Sequence, residues 1–257
     1  MKKFICLIVL CLSAVSAFAV SVGEQADSAY NKQNYREAIN LYQQTIAEDG
    51  PSSTLWYNLG NAYYRVDNPG KAILCYERAL KIDPTNADAR QNLAFVNSRI
   101  QDKPEDDTPF FSSMHHSVVT SATPDAWAWI AFLTFVLVMA ALALYIFARG
   151  VTLRKVGFFG GVILVCLCAY FLVVASDAVD EATSDRYAIV TAPSTQLTSA
   201  PRAASGSDKV VTIHEGTKVE ITDSVPTPDD PVSKTWYNVK INKGTKAWLR
   251  ASDVERI

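Results

Sequence analysis

Residues Ser53 to Asn86 set their small, aromatic and chain-breaking side chains at fixed places in a 34-residue frame. Counted from Ser53, Trp56 is fourth, Leu59 seventh, Gly60 eighth, Tyr63 eleventh, Ala72 twentieth, Tyr76 twenty-fourth, Ala79 twenty-seventh and Pro84 thirty-second. Few folds satisfy such a frame. Trp56, Leu59 and Tyr63 follow helical spacing, as do Leu55, Leu59 and Ala62, which predicts a helix over Thr54 to Arg65. Ile73, Tyr76 and Leu80 predict a second helix over Lys71 to Ile82, with Asn68-Pro69-Gly70 as the turn between them. Gly60 and Ala72 are small where two antiparallel helices must approach closely. Pro84 stops the second helix, and Asp83 before it is pushed out of helical geometry.

The frame recurs 34 residues upstream. Ala38, Ile39, Tyr42 and Ile46 stand where Ala72, Ile73, Tyr76 and Leu80 stand, and Tyr30 matches Tyr64. Thr45 replaces Ala79, while Gln25 and Ala26 replace Leu59 and Gly60. Downstream, Ala89, Leu93, Val96 and Ile100 predict one more helix over Asn86 to Asp102, with Asn86 as its N-cap. The pattern resembles the tetratricopeptide repeat, which has Trp, Leu, Gly, Tyr, Ala, an aromatic, Ala and Pro at these places. The resemblance implies an all-α solenoid over residues 20–102, with repeats at about 19–52 and 53–86 and a capping helix. It also implies a protein-binding groove faced by Tyr57, Asn58, Asn61, Tyr64 and Arg65. Repeats that clamp a terminal carboxylate use basic side chains. The matching positions here are Gly23, Asp27, Asn58, Asp88 and Asn92, so no such clamp is expected. Two repeats and a cap are fewer than such arrays need to stand alone, so a partner or self-association is expected to complete the core.

Lys2 and Lys3 precede an apolar run, Phe4 to Val15, and then Ala17-Phe18-Ala19. That order predicts a secretory signal peptide over 1–19; the other reading is an uncleaved anchor. Residues 126–148 and 156–175 are free of charge over 23 and 20 residues, and about 20 suffice to span a bilayer. Trp127 and Trp129 stand at the boundary of the first run, and Gly157, Gly160 and Gly161 offer close helix contact in the second. The loop 149–155 carries Arg149, Arg154 and Lys155 and no acid, which marks it as cytoplasmic. Signal and loop agree on a transmembrane hairpin in the inner membrane, with both soluble parts on the periplasmic side. Residues 103–124 read as linker. Within it, Phe110, Phe111, Met114 and Val118 read either as a short interfacial segment or as a loop with scattered apolar groups.

Residues 176–257 predict an all-β domain with strands at 187–191, 210–213, 218–222, 236–241 and 246–249 and a tight turn at Asn242-Lys243-Gly244. His214 to Val219, Trp236 to Val239 and Ala247-Trp248-Leu249 resemble bacterial SH3-like domains, with Ala247 where Gly is usual. The resemblance implies a small barrel, and relatives bind peptides or cell-wall material. Trp236 and Trp248 are expected to be core residues.

The whole order, with Asn92 to Ile100 after the repeats, resembles the BatE family of Bacteroides aerotolerance proteins. That resemblance implies an inner-membrane scaffold acting beside von Willebrand A-type membrane proteins and a MoxR-type ATPase, linked to oxidative-stress tolerance. The alternative is a peptidoglycan-binding protein acting through its tail. The net charge of −2 and the lack of a basic patch exclude nucleic acid as a partner class. No nucleophile elbow, zinc-protease motif or phosphate loop occurs, so no enzyme, catalytic residue or cofactor is expected. Adjacent His115 and His116 diverge on a helix and make a poor metal pair.

Overall fold

The computed structural model describes residues 21–103, 109–203, 211–227, 233–241 and 245–257. The signal-peptide segment and the Asn242-Lys243-Gly244 turn lie outside the described residues.

Five helices form the repeat array: α1 (Val22–Asn31), α2 (Tyr35–Asp49), α3 (Ser53–Arg65), α4 (Pro69–Ile82) and α5 (Ala87–Asn97). Their starts are written in short polar side chains. The Ser21 hydroxyl accepts from Glu24 N while the Glu24 carboxylate accepts from Ser21 N, a reciprocal capping box. Ser52, Asn68 and Asn86 accept from Leu55 N, Lys71 N and Ala89 N. Pro69 and Gly70 belong to α4 and not to the preceding turn, because proline at the first helical position arrives with a helical φ and lacks only an N–H that has no partner there. The turn is instead Val66 to Asn68, with Asp67 left-handed at φ 58. Gly60 is the contact point of α3 and α4, since a Cβ there would stand 2.7 Å from the Tyr76 ring. The cap helix α5 ends at Asn97, short of Asp102. The turn that follows, with Arg99 N and Ile100 N both donating to Val96 O, redirects Ile100 and Asp102 toward the C-terminal domain.

That domain is a small antiparallel region: β1 (Tyr187–Val190), β2 (Ser194–Leu197), β3 (Val211–His214), β4 (Lys218–Pro226), β5 (Thr235–Ile241), β6 (Thr245–Arg250) and β7 (Val254–Arg256). The main sheet has the order β6-β5-β4-β1-β7, and β2 and β3 form a separate ribbon bridged to β6 through Thr198 and Trp248. Among the described residues these strands do not close into a barrel. Trp236 is buried, while Trp248 is only partly so.

The second repeat is covered by this sheet. Side chains alternate across a strand. In β1, Ala188 and Val190 point into the core of the sheet, while Ile189 points the other way, into the core of the repeats. Gly216, at φ +87, sits so close that a Cβ would meet Ile73 Cδ1 at 2.8 Å and Ile100 at 3.1 Å. Polar contacts frame the seam. Lys81 Nζ donates to Ser184 O, Asp185 Oδ1 and Ile257 O at 2.8, 3.1 and 2.8 Å. Asp102 Oδ2 accepts from His214 N at 2.6 Å and from Thr217 Oγ1 at 3.1 Å, and lies 3.1 Å from His214 Nδ1. Lys218 pairs with Glu77 and Lys71 with Glu255. The core that was expected to need a partner or a second copy is thus completed by the chain's own tail.

Between these parts lie α6 (Phe110–Val119), α7 (Pro124–Phe147) and α8 (Val151–Thr183). The helices α7 and α8 are long and apolar enough to cross a membrane. They pack as an antiparallel pair joined by three residues. The segment 151–155, expected as loop, already belongs to α8. Of the three glycines, only Gly157 makes the tight contact: a Cβ would stand 2.8 Å from Tyr145 N, while Gly160 meets nothing within 4 Å. Trp127 is a packing residue, stacked on Phe171 and donating Nε1–H to Val119 O, whereas Trp129 is exposed.

Candidate protein-binding groove

The inner faces of α1, α3 and α5 line a continuous groove. Its central cavity of about 330 Å³ is lined by Tyr57, Asn61, Tyr64, Arg65 and Phe95 among others. A neighbouring cavity of about 260 Å³ holds Asp27, Tyr42 and Asn58. Tyr30 and Asn61 line both, which joins them into one channel. All five residues expected from the repeat pattern lie in this channel.

A hydrogen-bonded floor holds the lining side chains. Asn61 Oδ1 accepts from both Tyr76 Oη and Asn92 Nδ2 at 2.8 Å. Asp27 Oδ1 accepts from Tyr42 Oη at 2.6 Å and from Asn58 Nδ2 at 3.4 Å. Burial raises the pKa of Tyr76, and burial together with the Asp27 carboxylate raises that of Tyr42, so both phenols stay protonated donors at neutral pH. At the other end Arg99 donates to Tyr64 Oη at 3.1 Å, its guanidinium 4.0 Å from the Phe95 ring centre. Tyr30 hydrogen-bonds Arg65 and thereby favours its charged form. The groove therefore runs from a carboxylate at Asp27 to two guanidiniums at Arg65 and Arg99. Tyrosine faces and amide groups lie between, surfaces that combine area with adaptable hydrogen bonding.

Asp27, Tyr30, Asn92, Phe95 and Arg99 were not among the five residues named as facing the groove, yet the repeat frame contains them. Each stands 34 residues from a groove position: Asp27 and Phe95 from Asn61, Tyr30 from Tyr64, Asn92 from Asn58, and Arg99 from Arg65. Two histidines also find partners that only the fold supplies. His115 Nε2 lies 2.8 Å from Asp177 Oδ2, and His214 meets Asp102.

A tetratricopeptide repeat family model matches residues 53–86, and a second tetratricopeptide repeat model matches residues 75–106. No curated protein matches the chain. The chain carries tetratricopeptide repeats, which are modules for binding other proteins. The second match begins inside α4, at Cys75, and runs through α5, so it includes the cap helix.

Proposed function

We propose that the protein is a non-enzymatic scaffold, tethered to the inner membrane, that holds a segment of a neighbouring exported protein in the groove of its repeats. The observation that carries this is the open channel in which Tyr30 and Tyr64, and Asn58 and Asn92, stand 34 residues apart, with Arg65 and Arg99, also 34 apart, at one end. The helices α7 and α8 serve as the membrane hairpin. Arg149, Arg154 and Lys155 at their joined end favour the cytoplasmic side for that end, which leaves the repeats and the tail together on the other face. The signal-like N-terminus, the order of modules and the resemblance to BatE agree with that orientation. The resemblance also suggests von Willebrand A-type membrane proteins as the partners and oxidative-stress tolerance as the setting. The tail is read as an SH3-like domain whose first task is to close the repeat array. The test is co-isolation from detergent-solubilised native membranes. Wild-type chain should retain its membrane-protein partners, and the Tyr57→Ala/Tyr64→Ala double variant should lose them while keeping the wild-type helical content by circular dichroism. Equal recovery with both chains would reject the groove as the binding site.

One observation favours the second reading, a ligand site in the tail that takes cell-wall material. A cavity of about 300 Å³ is lined by Trp236, Arg250, Thr195 and Asp253. Among the described residues Arg250 Nε is buried there without a hydrogen-bond partner, its guanidinium 5.5 Å from the Trp236 ring centre. Sedimentation of the full chain with purified sacculi, lost on Arg250→Ala, would support that reading.

A further inference from the structure

The helix α6 turns large apolar side chains outward. Phe110 and Phe111 are 74% and 77% exposed, and Met114 is 54% exposed. The sequence Phe-Phe-Ser-Ser-Met-His-His-Ser-Val-Val contains no Asp, Glu, Lys or Arg. Such a helix has little formal charge to strip of water on entering an apolar phase. Its opposite side is pinned. Val119 packs with Trp127, Val174 and Ala178, and the His115 ring lies 6.2 Å from the Tyr170 ring.

These contacts fix the level of α6 along α8. The apolar run of α8 ends at Ala175, followed by Ser176 and Asp177. At about 1.5 Å per residue, Tyr170 lies about 7 Å inside that end and Asp177 about 3 Å beyond it. His115 touches both, so α6 lies across the boundary of the apolar run. Only Thr120 to Thr123 separate α6 from α7, which holds its C-terminal end at the start of the other apolar helix.

We propose that α6 is an interfacial helix whose Phe110, Phe111 and Met114 are immersed in the acyl-headgroup boundary of the bilayer leaflet facing the repeats. The proposal rests on the reading of α7 and α8 as a membrane hairpin. The occupant of the apolar face is lipid, because the face sits level with the end of a lipid-facing surface and is continuous in chain with it. Helices of this kind lie about 5–10 Å deep at the boundary. The seat also bears on the groove. Arg90 Nη2 donates to Thr120 O at 3.4 Å, and His116 and Val119 share a cavity with Leu93 of α5. Lipid contact at α6 thus sets the height and tilt at which the repeats stand over the membrane.

The experiment uses the full chain in vesicles of phosphatidylethanolamine and phosphatidylglycerol, with the other cysteines replaced by alanine. A nitroxide is placed in turn at Phe111→Cys, Met114→Cys, Val136→Cys on the exposed side of α7, and Ala47→Cys on the repeats. Collision rates are measured with oxygen, which partitions into lipid, and with a water-soluble nickel chelate. The expected result is an oxygen-to-nickel ratio at 111 and 114 severalfold above that at 47 and on the side of that at 136. A lipid-like ratio at 136 with a water-like ratio at 111 and 114 overturns the seat of α6 and leaves the hairpin intact. Low collision with both reagents at 111 and 114 means that protein, such as a second copy, covers the face, and also overturns it. A water-like ratio at 136 overturns the hairpin and the proposal together.

Discussion

Replacing Ile189 by alanine should loosen the repeats, although Ile189 belongs to the first strand of the tail. Its side chain is fully buried in the repeat core, on the opposite face of β1 from Ala188 and Val190. Truncating a buried isoleucine to alanine costs about 2–5 kcal/mol, through lost transfer energy plus the cavity left behind. At about 1.4 kcal/mol per tenfold, the low end is a roughly 30-fold rise in the opening constant of the elements that share the cavity. Amide hydrogen exchange of the full chain, read by mass spectrometry, resolves where that rise falls. Peptides from α4, which supplies Ile73 and Leu74 to the same core, should exchange at least about 30-fold faster, within the cooperative unit that the cavity destabilises. Val239→Ala is the comparison, since Val239 lies wholly in the core of the sheet. Faster exchange confined to β1, with α4 unchanged in Ile189→Ala, would refute the claim that the sheet completes the repeat array.

Gly216→Val should act on the same seam from the other side. It combines a left-handed backbone with a Cβ contact at 2.8 Å, so a loss of about 2–4 kcal/mol is expected in a chemical denaturation series. Asn61→Ala leaves the buried Tyr76 hydroxyl without its acceptor and should lower stability by about 1–3 kcal/mol, whereas Asn61→Asp, which keeps an acceptor, should cost less. Melting temperature should fall as pH rises from 9 toward 12. Burial pushes the Cys75 thiol from 9.0 to about 12 and Tyr63 from 10.0 to about 12, so what they contribute is complete below the unfolded values and is lost on the way up to the folded ones. In Cys75→Ala the decline should begin nearer pH 10; an unchanged onset at 9 would show that the thiol is not its cause.

Helix positions were legible where a stripe and a cap coincided, as at Asn86 with Ala89 and Leu93. The strands were legible where Val219 and Ile221, or Tyr237 and Val239, alternate. Errors came where one residue had two uses. Pro69 reads as a turn former and is used as a helix starter. Ile100 reads as the last residue of a helical stripe and is used as a seam residue after the helix has ended. The short strands at 194–197 and 254–256 carry too few β-branched residues to stand out. The groove was readable in part: applying the 34-residue offset to Asn61 and Arg65 reaches Asp27, Phe95 and Arg99. The joining of repeats to tail was not. Contacts such as Asp102 with His214 and Lys218 with Glu77 cross 112 and 141 residues of sequence, and no local pattern encodes them. The one trace was Tyr187-Ala188-Ile189-Val190, an unbroken apolar run of the kind that marks a strand buried on both faces.

The central claim, that the groove is where this protein holds its partner, is tested most directly by site-specific photocrosslinking in native membranes. A photoreactive residue at Tyr64, inside the channel, is compared with one at Ala47, exposed and outside it. Adducts to a neighbouring exported membrane protein from position 64, absent from position 47, are the predicted result. Equal adducts from both positions, or adducts from position 64 only to cell-wall material or to another copy of the chain, would contradict it.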